Sequence, residues 1–251
     1  MTKTAAVGPV RTKQHLYYFN GKGPWPGVTT VTKVLDAPAL THWKMNQVAE
    51  AAIASAERLI EDREAGKTDA AVKYLTTLST TAMDRGSRIH AAIERVLRRE
   101  PVEIDPRDEA AVAGARAWLN DQVRDHGLRP LEVEAYTLHE TLGYGGTCDL
   151  IAELDGEVWL LDWKTGGSVA TPDGTVYQDH RLQLAAYANA EFIAREADST
   201  KHPLPPITRH GIVHVTDGGT KLYPADVTDD DWIAFRACLR LHQWKKGRKS
   251  A

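Results

Sequence analysis

The chain has 251 residues, 42% of them hydrophobic, with 31 lysines and arginines against 34 aspartates and glutamates and a net charge of −3. That composition supports one sizeable core and excludes a global basic field, so contact with any polyanion has to come from local patches. The only two cysteines, Cys148 and Cys238, cannot ligate an iron–sulfur cluster or a cysteine-rich zinc site, and they point to a reducing compartment.

In chain order, residues 1–14 are expected to be mobile. HLYYFNGKGPWPG reads as a strand followed by a glycine- and proline-rich turn. VTTVTKVLDAPALTHW predicts a short helix, a break at Pro38 and a second helix start. Residues 41–61 and 68–81 are alanine-rich and helical. Further helices are expected from about Asp84 to Arg99 and from about Asp105 to Asp125, the latter ending near Gly127. The pattern then changes to LEVEAYTL, TCDLIAEL and GEVWLLDWK, three strands joined by short turns. A helix from about Gln178 to Ala197 follows, then two strands joined by Asp-Gly-Gly and a last amphipathic helix from Asp229 to about Lys246. The expected fold is α/β: one domain over 1–251, with a mainly helical part (1–127) and a sheet core (128–251) built on a central mixed sheet flanked by helices. No run approaches the ~18 apolar residues of a membrane span. MTKTAAVGPVRTK lacks the apolar stretch of a signal peptide, so a cytoplasmic protein without membrane contact is expected.

One strand carries a chemical signal. In WLLDWKTGG an aspartate and a lysine interrupt an apolar run, and buried charges need partners. Side chains alternate along a strand, so Asp162 and Lys164 share a face. If this strand and TCDLIAEL form a hairpin about Asp155-Gly156, Asp149 lies opposite Asp162, with Cβ atoms about 4.5–5.5 Å apart. Two carboxylates that close require a proton or a cation between them, and magnesium takes one or two carboxylates with water and phosphate oxygens. Lys164 is placed to orient or help deprotonate a metal-bound water and to stabilise charge on phosphorus. The Trp163 carbonyl is a further candidate oxygen ligand. Glu134, on the preceding strand, is a candidate outer ligand; Glu132 shares its face, and both fit a solvated surface as well. Asp-x-Lys by itself also fits a structural ion pair.

Taken together, Gly146 to Asp149, Asp162 to Thr165 (DWKT), and Gln183 to Tyr187 (QLAAY) resemble the PD-(D/E)XK nuclease superfamily. The likeness is to its branch of RecB-type and CRISPR-associated-exonuclease-like nucleases, in the form without an iron–sulfur cluster. PGVTTVTKVLDAPAL resembles the start of phage-encoded exonucleases. RGSRIHAAIE supplies the upstream histidine of that branch, with Gly86 and His90. The resemblance implies a restriction-endonuclease-like core and a Mg²⁺- or Mn²⁺-dependent DNA nuclease, an exonuclease of recombination, repair or phage DNA processing. Asp149, Asp162 and Lys164 would be catalytic, and His90, Asp149, Asp162 and Trp163 would hold metal. Gln183 and Tyr187, at i and i+4 on one helix face, would hold the substrate backbone or order the site. Glu94, one turn after His90, is a candidate partner for the second imidazole nitrogen. The implied partners are DNA and a recombinase or single-strand-annealing protein. A structure-specific endonuclease and a non-catalytic DNA-binding module are the alternatives. Arg85, Arg88, Arg95 and Arg99 fall on the helix face opposite His90, and Lys245, Lys246, Arg248 and Lys249 form a second basic patch. Both read as solvated faces or as distant phosphate contacts.

Overall fold

The computed structural model describes residues 8–35, 38–196 and 198–247. They divide into two compact units, 36–91 and the remainder. The smaller unit holds helices α2 (Pro38–Ala54) and α3 (Ala56–Glu64) and most of α4 (Thr68–Leu97). Ser55, at φ −120°, separates α2 from α3. Glu57 in the first turn of α3 and Arg63 in its last both complement the helix dipole.

The larger unit is built on a six-stranded mixed sheet of order β7-β4-β5-β6-β8-β9. These strands are β4 (Arg129–His139), β5 (Tyr144–Leu154), β6 (Glu157–Thr165), β7 (Phe192–Ala194), β8 (Arg209–Thr216) and β9 (Gly219–Pro224). β4, β5 and β6 form the expected antiparallel meander. Asp155 and Gly156 both have positive φ, 52° and 76°, as a tight two-residue hairpin turn requires. The β5–β6 register follows, with Leu154 opposite Glu157 and Leu150 opposite Leu161. β6 runs parallel to β8, and a parallel pair needs a crossover, here supplied by α6 (Gln178–Ala188).

β5 and β6 are central strands, covered on both faces. α5 (Glu109–His126) packs on β8 and β9, with Trp118 edge-on to Trp163 at 5.8 Å. α1 (Val28–Thr32), α6 and α7 (Asp229–Gly247) pack together over an apolar cluster that includes Ile151, Leu160, Leu184 and Phe235. Fully burying a leucine such as Leu160 contributes about 1.5–3 kcal/mol, so this cover holds the polar end of β6 rigid. Asp105 caps the 3₁₀ turn leading into α5 through the Arg107 N–H (3.0 Å), and Gly127 ends α5 with φ 63°.

Four local expectations change. The N-terminal segment contributes β1 (Pro9–Arg11), β2 (Leu16–Phe19) and β3 (Lys22–Pro26), a second antiparallel sheet; its Tyr17 and Phe19 pack with Leu138 and Phe192. Residues 1–7 lie outside the described residues. The two helices expected at 68–81 and 84–99 are the single α4, which runs on through residues 82–83; α4 stops at Leu97, and Arg99 has φ 58°. The helix from Gln178 ends at Ala188 rather than Ala197. The Asn189 amide and side chain both bond back to the Ala185 carbonyl, and Phe192–Ala194 then pair with β4 as an edge strand. Among the described residues no helix is long and apolar enough to cross a membrane.

Candidate active site

The sheet forks at Asp149. On one side, the β4–β5 ladder pairs Val133 with Leu150 and Ala135 with Cys148 but skips Glu134 and Asp149. Glu134 stands there with φ 51°, a left-handed conformation that is costly for a residue with a side chain. On the other side, the β5–β6 ladder stops at Leu150–Leu161, and from Asp162 onward β6 pairs only with β8. The Asp149 carboxylate occupies the opening: its Oδ2 accepts the Trp163 N–H at 2.7 Å. Asp149 and Asp162 are thus brought together one step beyond the last ladder pair, with a side chain replacing the backbone bond.

The charges gathered there are unbalanced. Asp149 is 8% exposed and Asp162 2%. Lys164 Nζ lies 2.5 Å from Asp162 Oδ2 as an ion pair, and that oxygen has no hydrogen-bond partner. Glu134 and Asp149 each offer a carboxylate oxygen, the two within 4.8 Å of each other. Burial, then the charges of Asp162 and Glu134, push the Asp149 carboxyl well above its usual range. Burial and then Glu94 push Glu134 up to about 7. For Lys164 burial acts downward, but Asp162 and Asp149 outweigh it and hold the ammonium above its usual value. Asp149 and Asp162 act on one ammonium, Glu134 stands beside Asp149, and all three acids offer hard oxygen donors. That donor set fits a divalent cation such as Mg²⁺ or Mn²⁺.

α6 orders this arrangement. Gln183 Nε2 donates to Asp162 Oδ1 (2.8 Å) and to the Tyr187 hydroxyl (3.1 Å), while its Oε1 accepts from Lys164 Nζ (2.9 Å). Gln183 therefore fixes the aspartate and the lysine in one step. Tyr187, at 4% exposure, touches Gln183 rather than solvent. The Tyr187 ring explains Gly146: a Cβ there would lie 2.3 Å from Tyr187 Cε1. Gly146→Ala is expected to destabilise the fold by about 1–3 kcal/mol and to loosen the Gln183 contacts. Urea or thermal unfolding measures this, and an unchanged midpoint would contradict the packing argument.

His90 lies half-buried on α4 in the smaller unit, four residues before Glu94. Glu94 belongs to the larger unit, where it pairs with Arg98 Nε (3.0 Å). Arg98 in turn donates to the Val133 carbonyl at 3.1 Å, next to Glu134. The last turns of α4 are thus tied to β4 beside the acids. The indole of Trp163 is buried against Trp118, on the face away from Asp162 and Lys164. Arg95 donates to the Pro101 carbonyl (3.2 Å). Lys245 and Lys246 end α7, whereas Arg248 and Lys249 lie outside the described residues.

The left-handed backbone at Glu134 has no sequence signal. His180, whose pKa is lowered by burial and then by Lys164, is a further group near the lysine that the motifs do not mark. Its position three residues before Gln183, on the same helix face, is the one sign the sequence offers.

The family model of the PD-(D/E)XK nuclease superfamily matches residues 63–203, more than half of the chain. The chain is also 34% identical over 109 residues to the human mitochondrial genome maintenance exonuclease 1, a stretch that is 42% of this chain and 30% of that protein. It therefore spans under a third of the length of this curated relative. The matched region contains Asp149, Asp162, Lys164 and Gln183, the residues that converge at the fork. By sequence match and by its mixed sheet flanked by helices, a restriction-endonuclease-like core, the chain belongs to the PD-(D/E)XK nuclease superfamily.

Proposed function

We propose that the chain is a divalent-cation-dependent deoxyribonuclease, and that it acts as an exonuclease on DNA ends in recombination, repair or phage DNA processing. The observation that carries this reading is the fork at Asp149, where the buried Asp149 and Asp162 act on the Lys164 ammonium and Glu134 offers an oxygen within 4.8 Å of one from Asp149. The printed name of the human relative supports the exonuclease assignment. The DWKT and QLAAY motifs and the upstream His90 support the RecB-type branch without an iron–sulfur cluster, and the N-terminal segment supports kinship with phage exonucleases. On this reading 1–251 is one nuclease domain, cytoplasmic, with a recombinase or annealing protein as partner.

Asp149 and Asp162 would hold Mg²⁺ or Mn²⁺, with Glu134, His90 and the Trp163 carbonyl as additional ligands. Such a cation lowers the pKa of a water ligand and neutralises charge building on phosphate oxygens. Lys164 orients the attacking water and faces the phosphate as a fixed positive charge. Gln183, locked by Tyr187, bridges Lys164 and Asp162 and fixes the ammonium beside the acid. Gln183 and Tyr187 thus act on the substrate through Lys164. Glu94 braces the end of the His90 helix through Arg98.

Metal-dependent cleavage of linear and circular DNA tests the reading. Loss of linear DNA alone is the exonuclease result, nicking of circles the endonuclease result, and binding without cleavage under Mg²⁺ or Mn²⁺ would overturn the enzyme assignment.

Metal binding also has an expected pH dependence. Glu134 is raised from 4.5 to about 7, so the metal-free folded state binds more protons than the unfolded state. Its contribution to stability therefore declines as pH rises through that window. A cation needs the carboxylate form, so the gain in Tm on adding Mn²⁺ is expected to grow between about pH 6 and pH 8. His90→Ala is expected to weaken the Mn²⁺ titration roughly 10-fold or more. An unchanged titration would remove His90 from the ligand set.

A further inference from the structure

The face of the sheet that carries Asp162 and Lys164 continues past the acids. β8 places Ile212 beside Asp162 and His214 beside Lys164. β9 places Tyr223 beside Ile212 and Lys221 beside His214. Partners across a ladder share a face, so Lys164, His214 and Lys221 form one row running out from the fork. Neighbouring strands are about 4.8 Å apart, which sets Lys221 about 10 Å from Lys164 along the row.

The row ends in a cavity of about 460 Å³ between the β8–β9 hairpin and the loop that leads into α6. Tyr177, Ser168, Asp173, Lys221 and Tyr223 are among the residues that line it. Lys221 Nζ sits 4.6 Å over the Tyr223 ring, and His214 approaches the same ring at 6.4 Å. Opposite them, Tyr177 is 37% exposed, its hydroxyl is 3.4 Å from Ser168 Oγ and its ring is 6.4 Å from His180. Asp173 is engaged within its own loop by the Thr171 and Thr175 hydroxyls. The open chemistry of the cavity is therefore the exposed Tyr177 ring and the Lys221 ammonium, which is seated on the partly buried Tyr223 ring, with the Asp173 carboxylate held by its own loop.

An exposed aromatic face beside a basic group recognises unpaired bases and their phosphates, because every base has a stacking face while a duplex hides it. The geometry points to this cleft as the seat of an unpaired DNA end, with a base stacked on Tyr177 and its phosphate on Lys221, which Tyr223 seats, a few nucleotides from the scissile bond. This deepens the nuclease reading and rests on it: the substrate class is a strand with a single-stranded end. Continuity of the row from Lys164 to Lys221 is what joins the cleft to the fork.

The test uses the full chain and a short single-stranded oligodeoxynucleotide. Its binding is followed by anisotropy in EDTA and its cleavage by steady-state kinetics in Mn²⁺. The double variant Tyr177→Ala/Tyr223→Ala is expected to raise Kd and KM at least about 10-fold while kcat stays within a few-fold. The double variant Tyr177→Phe/Tyr223→Phe keeps the rings and is expected to behave as wild type, and Lys221→Glu, an exposed change, is expected to raise KM with little effect on kcat. If wild type cleaves and the alanine pair and Lys221→Glu both leave Kd and KM unchanged, the cleft assignment is wrong and the nuclease reading stands. If the alanine pair does not fold, Lys221→Glu decides in the same way. If wild type cleaves no DNA yet binds the oligonucleotide through these residues, the nuclease reading fails and the binding role of the cleft stands.

Discussion

Asp162→Asn is expected to abolish DNA cleavage while leaving the protein folded. Asparagine fills the same volume, so the 2%-exposed site keeps its packing. The chemistry does not survive the change. Both Asp162 oxygens are engaged: Oδ1 accepts from Gln183 Nε2 at 2.8 Å and Oδ2 is ion-paired with the Lys164 ammonium at 2.5 Å. An amide must turn its NH₂ toward one of these donors, which expels either Gln183 or Lys164. The variant also loses a hard anionic ligand for the cation. Removing one preorganised electrostatic group costs roughly 10²–10³ in kcat, and here two functions fail together, so the loss should reach at least the upper end of that range. End-labelled linear DNA in Mg²⁺ and Mn²⁺ provides the measurement, with a melting curve as the fold control. A folded variant with turnover near wild type would remove Asp162 from the centre of the site.

The local order of β4 to β6 is readable because each signal is redundant. Asp155-Gly156 sets a two-residue turn, alternation sets the faces, and together they fix a register that the structure carries from Leu154–Glu157 to Leu150–Leu161. The step beyond cannot be read from pattern. Whether Asp149 simply faces Asp162 or breaks the ladder depends on its side chain taking the Trp163 N–H, which is a tertiary competition for one donor. Glu134 is similar. Its place on the strand is visible, but its left-handed backbone arises from the fork around it. The end of α6 differs from expectation for another reason. Composition carries the helix through Asn189 to Ala197, whereas pairing of Phe192–Ala194 with the exposed edge of β4 outweighs the helical propensity of an alanine-rich segment. The Gln183–Tyr187 spacing does foretell a shared face, and the face is turned inward to the acid and lysine.

Lys164→Met should separate binding from chemistry. Methionine keeps much of the aliphatic stem, so the strand end stays packed, but the ammonium is gone. A lysine in this position has two conceivable roles, as a proton acceptor or as a fixed cation. The acceptor role requires the neutral amine. Burial favours the neutral form, but Asp162 and Asp149 together outweigh burial and hold Lys164 charged beyond its usual range. In the metal-free protein those two acids favour the ammonium, and Gln183 Oε1 aims it from 2.9 Å, which supports the role of a fixed cation. Positive charge at this spot matters most as negative charge develops around phosphorus, so the defect should fall on kcat rather than on affinity. Kd for an oligodeoxynucleotide is expected to stay within a few-fold, because one partly exposed lysine contributes only a small share of phosphate binding. Single-turnover rate on bound DNA is expected to fall roughly 10²-fold or more. The opposite result, weak binding with an unchanged rate on the bound strand, would make Lys164 a docking residue and leave the fork without its cation in catalysis.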